Sequence, residues 1–140
     1  MIMSIAPDMS SFDFGSGTPP PGQPQFVCTS CRNGVLIVEL AGPSIGTREA
    51  PIIAQEVTIE LDANVDSIRM LLLDFTNVTI LSSVGLEMCI NLRNKAHAAG
   101  AATVLCGVNA QLDELMQMMK TDRLWQVVHD SDELSRALAA

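Results

Sequence analysis

Two short apolar runs, "MLLLDF" (Met70 to Phe75) and "ATVLCG" (Ala102 to Gly107), stand on either side of a segment with helical spacing. A continuous apolar run of strand length marks a strand buried on both faces. Two such strands joined through a helix must run parallel, because a tight turn can only join antiparallel neighbours. The intervening segment has the required pattern. From Gly85 onward, Cys89, Leu92, Ala96 and Ala99 fall on one helical face, with Glu87, Asn91, Asn94 and Lys95 opposite. Gly100 is a natural C-terminal stop.

The rest of the chain extends this unit. "FVCTSC" and "VLIVEL" flank Arg32-Asn33-Gly34, and Asn-Gly between two apolar runs predicts a β-hairpin. "AGPSIGT" reads as loop. Ile53, Val57 and Leu61 then recur at i, i+4, i+8, an amphipathic helix with Pro51 suited to its first turn. Leu112, Leu115, Met116 and Met119 repeat the same period in a later helix, where methionines serve as core filling. "WQVVH" predicts a short edge strand. "DSDELSRALAA" predicts a closing helix, with Asp130 and Glu133 spaced as a capping box. The order is hairpin, then helix, strand, helix, strand, helix, strand, helix. That is an α/β fold: a mixed, mostly parallel sheet with an N-terminal β-hairpin and about four helices packed over it.

The 140 residues suffice for one domain with one sizeable core. Residues 1–25 are polar, Gly/Pro-rich and without period, ending in "TPPPGQP". They read as a flexible tail, leaving 26–140 as the domain. Neither a signal peptide nor a membrane helix is expected, since no long apolar run is present. A cytoplasmic location follows as the default. With 16 acidic against 8 basic residues the net charge is -8, which disfavours phosphate backbones and anionic membranes. No nucleic-acid partner and no membrane insertion are expected.

Cys28 and Cys31 form a lone C-x-x-C, "CTSC". A closed zinc site would need Cys89 and Cys106 as well, which lie on other elements. A redox C-x-x-C normally opens a helix, and this one lies in a predicted strand. The pair reads as strand residues, with thiol-redox or zinc chemistry as the competing reading.

The remaining feature is "TILSSVGLEMCINLRNKAHAAG", where Ser82 and Ser83 sit at a strand-to-helix turn. "LSSVGL" is not the G-x-S-x-G of a nucleophile elbow. His97 lies on the same predicted helix, roughly 21 Å from Ser83 at helical rise. His129 has no evident carboxylate constellation, and no phosphate-binding glycine loop is present. The chain therefore reads as non-enzymatic. A serine here can cap the helix: Ser83 is expected to accept a first-turn N–H, worth about 1 kcal/mol. The same position also favours a phosphate, because the helix dipole and free amides point at it. Cap and switch are compatible.

From "LLLDFTNVTILSSVGLEMCINLRNKAHAAG" onward the chain resembles the STAS domain of anti-sigma factor antagonists, over about residues 35–138. The family pattern is a buried strand, an Asp, a Val-Thr approach and Asp-Ser-Ser-Gly-Leu opening a helix, with Leu-Cys-Gly and Arg-Leu following. Laid over it, Ser82 stands at the motif Asp, Ser83 at the phosphorylated serine and Val84 at the second serine. Gly85 and Leu86 match directly. The resemblance implies an antagonist that binds an ATP-dependent, GHKL-type anti-sigma serine kinase through Ser82, Ser83, Val84, Gly85 and Glu87. Phosphorylation of Ser83, with Ser82 as second choice, would release the kinase, and a phosphatase would reset the switch. Sigma-factor-dependent transcription would be the output. No catalytic group, metal or cofactor would be supplied by this chain. The alternative is a non-phosphorylated scaffold subunit of a signalling or lipid-transport assembly, with both serines acting only as caps.

Overall fold

The structure, a computed structural model, describes residues 26–139. The tail expected over residues 1–25 lies outside the described residues. The domain opens with the hairpin: β1 (Val27–Arg32) and β2 (Val35–Leu40) pair antiparallel from Val27↔Leu40 to Arg32↔Val35. Asn33 and Gly34 turn it at φ 54° and 80°. Positive φ at both positions matches the right-handed twist of the two strands, which is why Asn-Gly is favoured there.

The chain then continues through β3 (Ser44–Ile45), α1 (Glu49–Ala63), β4 (Met70–Asp74), β5 (Ile80–Leu81) and α2 (Ser83–Ala98). It closes with β6 (Ala102–Cys106), α3 (Ala110–Met118), β7 (Gln126–Val128) and α4 (Ser131–Ala139). The main sheet has the order β1-β2-β4-β6-β7. All of its pairs beyond the hairpin are parallel. The expected mixed, mostly parallel sheet with four helices is what forms, and the run "WQVVH" does supply the edge strand.

Period-2 alternation along the central strands sends successive side chains to opposite faces. Leu36, Val38, Leu71, Leu73 and Leu105 face a core completed by Ile53, Val57 and Leu61 of α1 and by Leu86, Cys89, Leu92 and Ala96 of α2. Val35, Met70, Leu72, Val104 and Val128 face the other way, where Leu134, Ala137 and Leu138 of α4 cover them. Each fully buried Leu contributes about 1.5–3 kcal/mol of transfer free energy, so both layers are needed. Arg69 ties the second layer to the hairpin: its Nε donates to Asn33 O at 3.1 Å and its Nη2 to Leu138 O at 2.9 Å.

Three expectations need amendment. The "AGPSIGT" loop contains β3, whose two residues pair parallel with Ile80 and Leu81. A two-residue strand has no alternation to read. Met119 is exposed rather than core, because α3 ends at Met118 and the chain reverses through Lys120 at φ 59°. The capping box is present, but Glu133 reaches back to the His129 N–H while Asp130 accepts from Glu133 N at 2.8 Å.

Candidate functional site

The β3–β5 bridge decides how the chain enters α2. Ile45 O accepts the Ser82 N–H at 3.0 Å, so Ser82 stays extended, at φ -76° and ψ 169°, as the last residue before the helix. Its Oγ accepts the Gly85 N–H at 3.1 Å and its carbonyl accepts the Leu86 N–H at 2.9 Å. Ser82 is therefore the N-cap, not Ser83. A cap must have extended backbone so that its side chain can fold back over the first turn, and Ser83 is already helical.

Ser83 occupies the first helical position, exposed, and its hydroxyl makes no hydrogen bond among the described residues. No acidic residue stands in the first turn of α2, where the helix dipole favours negative charge, and the nearest acidic residue along the helix is Glu87, four residues after Ser83. Val84 and Glu87 are exposed, Ser82 is half-buried, and Gly85 is buried. A methyl added at Gly85 would come 3.0 Å from Ile45 O and 2.6 Å from a Leu81 methyl. Glycine thus lets α2 lie directly on the β3–β5 bridge.

Sequence reasoning missed several neighbours of the serines. Glu49, at the start of α1, accepts the Gly46 N–H at 2.9 Å. A methyl added at Gly46 would lie 3.6 Å from that Glu49 oxygen and 3.9 Å from Ser82 Oγ. Glu49 and Ser82 thus both border Gly46, and the chain has no Asp at that motif position. On the other side, Ile80, Leu81, Leu115 and Met118 line a groove of about 260 Å³ between β5 and α3. Ile80 and Met118 are 58% and 70% exposed. Asn109 fixes that wall: its Oδ1 caps α3 by accepting the Leu112 N–H at 2.8 Å, and its Nδ2 donates to Val78 O at 3.4 Å. An Asn before a helical run is a readable cap signal, whereas its second bond joins residues 31 apart.

The cysteines do not assemble. Cys28 and Cys31 are exposed on β1, Cys89 is buried in α2, and Cys106 ends β6. Among the described residues no group of three or more His, Cys, Asp or Glu could hold a metal ion. Burial pushes the Cys89 thiol up to about 12. Burial, with the Asp74 charge beside it, pushes Cys106 up to about 11. Neither is an activated thiolate. His97 and His129 are both exposed.

A model of the STAS domain family matches residues 28–134. The chain belongs to the STAS domain family. No curated protein matches it by sequence. Among solved structures, an anti-sigma factor antagonist of Mycobacterium paratuberculosis is 20% identical at a TM-score of 0.65, covering 81% of this chain and 93% of that one. The phosphorylated Bacillus cell-fate determinant SpoIIAA is 10% identical at 0.61, covering 79% and 98%. The murine anion transporter Slc26a9 is 19% identical at 0.65, covering 78% of this chain but 18% of the transporter. At such identities the likeness carries the fold: this STAS chain has the hairpin, the parallel strands and the serine-bearing turn into α2. None of its described helices is long and apolar enough to cross a membrane.

Proposed function

We propose that this STAS domain is a cytoplasmic anti-sigma factor antagonist, switched by phosphorylation of Ser83. In its unphosphorylated form it binds an anti-sigma serine kinase, which then releases its sigma factor. Phosphate on Ser83 weakens that complex, and a phosphatase restores it. The antagonist itself supplies no catalytic group. The kinase brings the ATP.

The observation that carries this reading is the division of labour between the two hydroxyls. Ser82 is committed to the cap, while Ser83 is exposed and uncommitted at the positive end of the α2 dipole. A phosphate there adds about -1.5 to -2 charges without removing the cap, so the helix persists and the docking surface changes. Val84 gives that surface an exposed apolar anchor, and Ile80 and Met118 give the neighbouring β5–α3 groove two more. The likeness to SpoIIAA, solved in both unphosphorylated and phosphorylated forms, supports the same reading.

The test is mass spectrometry of wild type, Ser83→Ala and Ser82→Ala after incubation with the cognate kinase and ATP, paired with binding titrations. Label is expected on Ser83 in wild type and in Ser82→Ala. Ser83→Ala should bind the kinase unlabelled. Ser83→Asp should fold normally and bind about tenfold weaker, ~1.4 kcal/mol. Label on Ser82 would move the acceptor by one residue. Absence of label, with Ser83→Asp binding like wild type, would favour the constitutive scaffold, the reading suggested by Ser82 and Val84 at the motif's Asp and second Ser.

A further inference from the structure

The opposite end of the sheet carries a second concavity. It lies where α2 ends and β6 and β7 begin, roughly 21 Å from Ser83 by the helical rise between Ser83 and His97. This groove has a volume of about 460 Å³, within the roughly 300–1,000 Å³ typical of small-molecule sites. Arg93 and His97 of α2, Thr103 of β6, and Arg123 and Trp125 from the segment entering β7 line it, with Val104 among its apolar walls.

The charge of this groove runs against that of the molecule. None of the described residues lining it is acidic, in a chain with 16 acidic and 8 basic residues. Arg93 is held in place, its Nε donating to Leu124 O at 3.0 Å and one terminal nitrogen to Asn94 Oδ1 at 3.1 Å. That leaves its other terminal nitrogen uncommitted. Arg123 forms no ion pair among the described residues.

A further oddity lies in the wall. Thr103 and Trp125, each 7% exposed, directly precede the paired residues Val104 and Gln126. The Thr103 hydroxyl and the Trp125 indole N–H are both buried without a hydrogen-bond partner. Buried donors are almost always satisfied, but both of these atoms lie beneath the groove surface and offer a ligand no direct contact. His97, with Lys95, also complements the negative end of the α2 dipole, a purely structural role. That role accounts for neither Arg93, which lies before the last turn, nor Arg123.

We infer that this groove binds a small amphipathic anion, a carboxylate or phosphate ester on a short apolar body. The arginines and His97 receive the head group and the apolar wall takes the body. The site is independent of the serine switch.

Trp125 is the only tryptophan and the chain has no tyrosine, so its emission reports on this wall without labelling. Octanoate, octyl phosphate and octanol, below their micelle concentrations, are titrated against the full chain by fluorescence and by calorimetry. Saturable binding is expected for one or both anions and not for octanol, and the tighter anion identifies the head group. Arg123→Gln should weaken that binding at least tenfold with an unchanged melting temperature, and Arg123→Lys should recover most of it. No saturable signal with either anion by either method would overturn the proposal. So would octanol binding as well as octanoate, or Arg123→Gln binding like wild type.

Discussion

Ser82 Oγ accepts the Gly85 N–H and Ser83 Oγ accepts nothing among the described residues, so alanine at the two positions should have different consequences for stability. Ser82→Ala should cost about 1 kcal/mol, the usual worth of an N-cap. Ser83→Ala should move the denaturation midpoint far less. Gly85→Ala should cost more than either, about 1–3 kcal/mol, because its methyl meets a backbone carbonyl that cannot swing aside. Urea melts of the three variants check the order. Ser83→Ala as the most destabilised of the set would mean that Ser83, not Ser82, holds the turn.

At the scale of elements, α1 and the two central strands each make a distinct claim. Glu56 is exposed on α1, yet partial desolvation, and then the like charge of Glu60 one turn on, raise its carboxyl above its ordinary value. A carboxyl whose folded pKa is raised favours folding while protonated, and that contribution is lost as pH rises through the raised pKa. Glu56→Gln should therefore raise the melting temperature at pH 7, and the gain should vanish in acid, where Glu56 is itself neutral. Melting curves of both proteins between pH 4 and 7 measure it. A gain that persisted unchanged in acid would assign the effect to packing instead. In the sheet, Leu105 lies under α1 and α2 while Leu72 lies under α4. Each cut to Ala should cost about 2–5 kcal/mol. Leu105 should be the costlier, since the single short helix over Leu72 can settle into the space.

The molecule as a whole depends on its last helix more than that helix's length suggests. α4 is the element that covers Val35, Met70, Leu72, Val104 and Val128, and Arg69 grips its final turn at Leu138 O. Truncation before Ser131 should expose that apolar sheet face and yield an aggregating chain that binds a hydrophobic dye. A soluble, cooperatively melting truncation would show that the sheet needs only one helical layer.

The apolar runs at Met70 and Ala102, the Asn33-Gly34 turn and the helical spacing around Val57 and Leu92 determine the architecture from the chain alone. Each is a local pattern whose period or turn chemistry admits one kind of element, and the STAS resemblance rested on the run from Leu71 onward. The location of the serine turn was equally legible. Which serine caps it was not, because that depends on Ile45 O holding Ser82 extended from 37 residues away. The β3–β5 bridge, the placement of Glu49 and Ser82 around Gly46 and the meeting of Arg93, Arg123 and Trp125 at one groove also arise only on folding. They are contacts between distant segments, set by how crossovers and helices pack, and no local period encodes them.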